Sequence, residues 1–274
     1  MNSQDINIGV KQNVWEKIKE IRSEYRFKSM DIVAQIFDDF FELHGDRHSY
    51  DDKAIVGGIA LLDDIPVTVI SEYKGIGGDD SKIRQYGMPL PEGYRKALRQ
   101  MKQADKFHRP IICFIDTPGA YPGVSAEAHG QAEAIARNLY EMAALQVPVI
   151  SIVVSEGGSG GALALGVANR VFMLEKATYS VVSPEGCASI LWKTSKKANL
   201  ASEYLRLTSN DLFRFKIIDK IISEDCQFTD ICRNLKKALK DELINLMRLD
   251  GNQLKNDRYD KFRYIGPPHI IFNK

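Results

Sequence analysis

Two stretches of the sequence, PIICFID (110–116) and PVISIVVS (148–155), are apolar almost without a break. Each leads into a glycine-rich turn and then into residues with helical spacing. A strand that alternates apolar and polar residues can face water; one that does not alternate must be covered on both faces. Such strands with helices between them predict an α/β fold around a largely parallel sheet. The turns are TPGAYPGVS and EGGSGG, and the helices that follow are AEAHGQAEAIARNLYEMAAL (126–145) and ALALGVA. Ligands of such folds gather at the carboxyl ends of the strands, where both turns lie.

AIVGGIALL (54–62) and PVTVISEY (66–73) predict two further strands joined through Asp63-Asp64, and GIGGDDSK (75–82) a polar loop. PEGYRKALRQMKQADKF (91–107) predicts a helix with Pro91 and Glu92 near its start. RVFMLE (170–175) and TYSVVS (178–183) predict short strands ahead of a helix at PEGCASILW (184–192). Before the sheet, two amphipathic helices are expected. One covers 12–27, with Val14, Ile18 and Ile21 in a stripe; the other covers 31–43, with Ile32, Val33, Ile36, Phe37 and Phe40, capped by Ser29. Beyond about residue 195 the chain reads as helical through 228–249, and 251–274 as a polar, aromatic tail without periodicity. The expected organisation is a helical segment over 1–43, a core over 44–225 and a helical segment with tail over 226–274, together one domain.

Charge excludes some classes of function. With 37 basic and 36 acidic residues the chain has no global pull toward nucleic acid or a membrane surface. The opening MNSQDINIGVKQNVWEKIKE has no apolar core of a signal peptide, and no apolar run reaches the roughly 20 residues of a spanning helix. The four cysteines, Cys113, Cys187, Cys226 and Cys232, form no C-x-x-C pair. A metal centre in this chain is not expected, and reduced thiols in a cytoplasmic protein are.

The segment SEGGSGGALALG (155–166) sets Gly157, Gly158, Gly160 and Gly161 ahead of a helix, and three chemistries are compatible with it. A phosphate-binding P-loop needs G-K-[ST], and none occurs; DTPG (116–119) alone is a weak GTPase signal. Gly157-x-Ser159-x-Gly161 fits the nucleophile elbow of a serine hydrolase, with Ser159 attacking. A triad would draw on His44, His48, His108, His129 or His269, of which only His269 follows the serine; otherwise Ser159 caps the helix. The third chemistry is that of bare amides. A helix opening after glycines offers free N–H donors to a developing oxyanion, and losing one such donor costs about 3–4 kcal/mol of transition-state stabilisation. On that reading the amides of Gly160, Gly161 and Ala162 are catalytic. Gly119 and Ala120 face them, and Gly157, Gly158, Tyr121 and Lys74 complete the substrate site.

Several side chains carry two readings. Lys74 meets a substrate carboxylate or phosphate, or is a solvated lysine. Tyr121 walls the site or packs in the core. Glu156 orients the glycine loop or sits on the surface. Arg95, Lys96 and Arg99 face phosphate or form a solvated helix face. Glu185 orients the start of its helix, while Cys187, Trp192 and His129 are packing or structural residues.

DTPGAYPG (116–123), EGGSGGALA (156–164), ATYSVVSPEGCASILWK (177–193) and GMPLPEGYRKALRQM (87–101) resemble the carboxyltransferase α-subunit family of bacterial acetyl-CoA carboxylase; so do GDR (45–47) and DDKAIVGGIA (51–60). The likeness holds one register from about residue 27 to 222, and the whole PEGCASILW string is not shared by other crotonase-type families. The resemblance implies a crotonase-like (ClpP/crotonase) spiral of ββα units with N- and C-terminal helices. It implies transfer of a carboxyl group from carboxybiotin, on a biotin carboxyl carrier protein, to acetyl-CoA, giving malonyl-CoA for fatty-acid synthesis. It further implies an α2β2 complex with a β subunit that holds the coenzyme A thioester and carries a zinc ribbon, a biotin carboxylase in the full assembly, and no permanently bound cofactor in α. Two departures stand out: the N-terminal helical arm is shorter than the family's, and Tyr73-Lys74-Gly75-Ile76 replaces Q-K-G-R. Another short acyl-CoA is therefore the alternative substrate.

Overall fold

The computed structural model describes residues 13–265. Gln12 of the first expected helix, His269 and the opening residues lie outside the described residues. Helix α1 (Val14–Ile21) starts at Asn13, whose side chain accepts the Trp15 amide, and buries Ile18 and Ile21. It ends short of the expected residue 27, and α2 (Ser29–Ile36) follows. Ser29 is not its cap: Lys28 holds that place, while the Ser29 hydroxyl donates to the Glu72 carbonyl at 2.6 Å. The expected helix over 31–43 also stops early. Asp38–Glu42 is strand β1, antiparallel to β2 (Ile55–Leu62), where Phe41 pairs Ile59. Helical spacing of the apolar residues ran on through Phe40, but pairing with an open sheet edge satisfies the backbone there.

β2 turns through Asp63 into antiparallel β3 (Ile65–Glu72). The expected loop at 75–82 contains the short helix α3 (Gly78–Ile83), and α4 (Pro91–Lys106) carries Pro91 in its first turn. β4 (Ile111–Thr117) is wholly buried. The expected helix 126–145 is two, α5 (Val124–Ala128) and α6 (Gln131–Ala144), broken at Gly130 with φ +86°. β5 (Val149–Gly158) runs three residues further than expected, and α7 (Ser159–Leu163) starts on its last glycine. Then come β6 (Arg170–Leu174), β7 (Thr178–Ser180), α8 (Pro184–Trp192), α9 (Ala198–Tyr204) and α10 (Ser209–Arg214). Strand β8 (Lys220–Ile222) interrupts the region expected to be helical, and α11 (Phe228–Leu246) follows. The expected aromatic tail instead contains helix α12 (Gly251–Arg263), opened by an Asp250–Gln253 capping box.

The sheet order is β1-β2-β3-β4-β5-β6-β8, with β7 pairing the end of β5. From β3 onward all pairings are parallel. One hydrophobic cluster runs through it, from Ile32 to Leu254. No helix among the described residues is long and apolar enough to cross a membrane.

Candidate active site

Because β4 and β5 are parallel neighbours, the two glycine turns emerge side by side. β5 continues through Glu156–Gly158 because it gains a second partner there: those residues pair with β7 while Gly157 still pairs Thr117 of β4. The glycines answer to this crowding. A Cβ on Gly158 would lie 2.8 Å from the Gly119 nitrogen and closer still to the Pro118 carbonyl; on Gly161 it would lie 2.6 Å from the Ala120 nitrogen. On Gly157 it would meet the Tyr179 ring at 2.7 Å. Only at Gly160 is the space open, with Ile135 the nearest neighbour at 3.6 Å. Gly158 and Gly161 thus let backbone approach backbone within the chain, Gly157 makes room for the Tyr179 ring, and of the four Gly160 alone faces free space.

The amides divide in the same way. Gly158 is the N-cap of α7, so the Ala162 N–H makes the helix's first bond, and the amides of Ser159, Gly160 and Gly161 have no acceptor in the helix. In the facing turn the Gly119 amide is engaged by the Thr117 hydroxyl at 3.0 Å, while Ala120 has no acceptor among the described residues. Of the residues expected to supply donors, Gly160, Gly161 and Ala120 have amides to offer; those of Ala162 and Gly119 are used internally. Tyr121 is half-buried, with its amide on the Pro89 carbonyl and its ring against Gly123. Beside Ser159 and Gly160 opens a cavity of about 270 Å³, walled by Leu163, Tyr179, Val181, Leu212 and Ile217.

Ser159 is exposed with φ +52°. Its side chain has no hydrogen bond among the described residues, and it does not cap α7. His129 bonds Glu92 at 2.9 Å and His44 bonds Asp51 at 3.2 Å; neither reaches the serine. Among the described residues no histidine is bonded to Ser159 as the hydrolase expectation requires.

Lys74 is drawn inward. Its ammonium stands 2.9 Å from Asp116 Oδ1 and 3.0 Å from Glu156 Oε2. Burial pulls the Lys74 pKa down, but Asp116 and Glu156 outweigh it and the net shift is upward. For Glu156, burial pushes up and the Lys74 and Arg22 charges hold the carboxyl below its usual range. Arg22 joins Glu156 at 2.7 Å and Glu185 at 2.7 Å. Glu156 is thus buried beneath the glycine turn, not on the surface. At the altered Q-K-G-R position, Arg84 stacks on the Tyr73 ring at 4.4 Å and Ile76 is exposed.

Arg95, Lys96 and Arg99 of α4 form neither a phosphate patch nor a solvated face. Arg95 bonds Asp46 at 2.9 Å, Lys96 is buried on Asp51 at 2.6 Å, and Arg99 bonds the Gly45 carbonyl at 3.1 Å. Together they pin residues 44–52 onto the helix. Glu185 sits in the first turn of α8, whose cap is Ser183. Cys187 is buried, and Trp192 lies against Tyr204 at 6.3 Å. The sequence reading missed Asp116, Arg22 and Glu72 as parts of the site. Asp116 and Glu72 share one signal, a carboxylate near the end of an otherwise apolar strand.

Comparison with known proteins matches residues 3–266 to the family model described as acetyl co-enzyme A carboxylase carboxyltransferase-like. The acetyl-coenzyme A carboxylase carboxyl transferase subunit alpha of Listeria welshimeri is 53% identical over 262 residues, covering 94% of this chain and 82% of its own. The corresponding beta/alpha protein of Clostridium tetani is 53% identical over 263 residues, 93% of this chain but 45% of its own length. Among solved structures, transcarboxylase 12S superposes with a TM-score of 0.65 at 22% identity, over 82% of this chain and 44% of that one. The beta subunit of Pseudomonas aeruginosa geranyl-CoA carboxylase gives 0.67 at 15%, over 86% and 46%. The expected crotonase-like α/β fold is the fold these structures share with it.

Proposed function

Since the chain belongs to the acetyl-CoA carboxylase carboxyltransferase-like family, we propose that it is the α component of that carboxyltransferase, moving a carboxyl group from carboxybiotin to acetyl-CoA. The observation that carries this is the pair of turns locked backbone to backbone, which leaves the amides of Gly160, Gly161 and Ala120 without acceptors among the described residues, with Gly160 at the wall of a mostly apolar cavity. That donor set fits a neutral, flat group whose oxygen gains negative charge during reaction. When biotin is bound it supplies the carboxyl group and the base: its N–CO₂ bond breaks, the acyl α-carbon bonds that CO₂, and the α-proton ends on the ureido nitrogen.

This chain's part is to place donors where the ureido oxygen takes up charge. Each such amide contributes about 3–4 kcal/mol to the transition state only if it is oriented beforehand. Contact between the turns does the orienting. No side-chain acid or base of this chain is required. The enolate oxygen is held by donors of a β subunit in an α2β2 complex, with zinc in that subunit. The beta/alpha relative, in which one chain is named for both subunits, supports such a pairing. Biotin arrives on a carrier protein, charged by biotin carboxylase, in the cytoplasm.

The purified chain is expected to make no malonyl-CoA from acetyl-CoA and carboxybiotin until a β subunit is added. Turnover by the chain alone, or none by the pair, overturns the reading. Running propionyl-CoA beside acetyl-CoA in the same assay decides the acyl group.

A further inference from the structure

The two turns are held together from below by a single ammonium. Lys74 lies two residues past the end of β3 and bridges Asp116, at the end of β4, to Glu156, near the end of β5. Asp116 is four residues ahead of Ala120, and Glu156 is four residues ahead of Gly160. Asp116 Oδ1 also faces the Glu156 amide at 3.4 Å, so the strand ends are tied twice. The second oxygen of Glu156 goes to Arg22, and Arg22 goes on to Glu185. The result is an alternating row, Asp116–Lys74–Glu156–Arg22–Glu185, from the buried sheet edge out to α1 and α8.

The row is built for place more than for net stability, because a buried ion pair usually contributes little against a well-packed apolar replacement. Room is made for it. Gly87, at φ +80°, would set a Cβ 2.5 Å from the Lys74 stem if it carried one. The lysine does not line the cavity beside Gly160. Its fixed position matters because a misplacement of about 1 Å between reacting groups can cost 100-fold in rate.

We propose that Lys74 is the positioning residue that sets the spacing of the two amide turns, with Arg22 extending the tie to α1 and α8. It rests on the reading of those turns as oxyanion donors. The test uses the reconstituted complex with acetyl-CoA and carboxybiotin. Lys74→Met is expected to lower kcat about 100-fold, the size of one displaced donor, with KM for both substrates within about threefold. Lys74→Arg, which can still reach both carboxylates, is expected to recover activity to within about tenfold of the wild type. Should Lys74→Met fold poorly, Lys74→Met/Asp116→Asn removes the buried carboxylate that loses its cation while Glu156 keeps Arg22, and is expected to recover most of the wild-type melting temperature while kcat stays low. In both Met variants, hydrogen exchange over 116–123 and 156–164 is expected to quicken about tenfold or more. A tenfold rise in KM at unchanged kcat makes Lys74 a substrate contact and overturns the proposal. So does full kcat in the double variant, or unchanged exchange. An inactive wild-type complex counts against the carboxyltransferase reading, and the exchange measurement still decides the positioning role.

Discussion

Glu72 closes an apolar strand with a carboxyl that is fully buried and makes no close side-chain hydrogen bond among the described residues, only the Asp116 amide being turned toward it. Burial first, and then the charge of Asp116, push its pKa well above the carboxylate range. Asp52 shows what hydrogen bonds change. It too is buried, but it accepts the Ala54 and Leu90 amides at 2.8 Å each, and its pKa rises only to about 6. Glu72 therefore folds with a proton that the unfolded chain gives up near pH 4.5. The folded state binds more protons above that pH, so stability falls as pH rises toward the raised folded pKa and is unaffected below the unfolded one. Glu72→Gln carries no proton to lose. It is expected to gain on the wild type by roughly 1.4 kcal/mol per pH unit across that window, with the two converging near pH 4. Urea unfolding of both proteins from pH 4 to 8 measures it, and a difference that does not change with pH sinks the idea. The sequence marked Glu72 as the end of a strand, but one dimension does not tell whether such a carboxyl pairs with a cation, as Asp116 does, or lies buried beside another carboxylate.

Between elements, the decisive contact is that of β5's last residues with the turn after β4. A methyl on Gly158 would have to enter the Pro118 carbonyl, which cannot rotate away as a side chain end can. Gly158→Ala is expected to destabilise by about 1–3 kcal/mol or more, as overpacking does. Gly160→Ala, with only Ile135 at 3.6 Å, is expected to stay within about 1 kcal/mol. Equal midpoints for the two in denaturant would show that the turns are not locked as described. The strands and the turn positions were legible because continuous apolar runs and glycine clusters are strong local signals. Where β5 stops was not legible, since its extension depends on β7, about 20 residues later. The same holds for β1 and β8, short strands that exist only because β2 and β6 offer them edges. Helix α12 hid behind a low apolar content: it buries Leu254 and Arg258, and an arginine does not register as a core residue. The amide donors were legible to within a turn, but Gly119 and Ala162 spend theirs on Thr117 and on the first helical bond, which only geometry reveals.

At the scale of the whole molecule, two arginines fasten the chain's outer segments to the sheet. Arg26, between α1 and α2, pairs with Glu224 and bonds the Val154 carbonyl at 2.8 Å, tying the N-terminal helices to β5 and to the segment after β8. Arg258 does the same for α12. It is 1% exposed and donates to the carbonyls of Met142 and Leu145, both at 2.9 Å, to Val147 at 3.1 Å, and to Asn169 Oδ1 at 2.7 Å. Those carbonyls belong to the end of α6 and the turn into β5, where no regular ladder could take them. Leu163 of α7 and Tyr259 and Phe262 of α12 line one cavity, so the seat of α12 borders the element that carries the glycine amides. Arg258→Met keeps the stem and removes the donors. Each buried carbonyl left unpaired costs about 1–3 kcal/mol, so a loss of about 3 kcal/mol or more is expected. Because α12 is the last described element, the loss falls there first, and limited proteolysis is expected to trim the variant back toward residue 249 while the wild type resists. An unchanged denaturation midpoint together with an uncut α12 would mean that water serves those carbonyls as well as the arginine does, and that the helix is held by its apolar side alone.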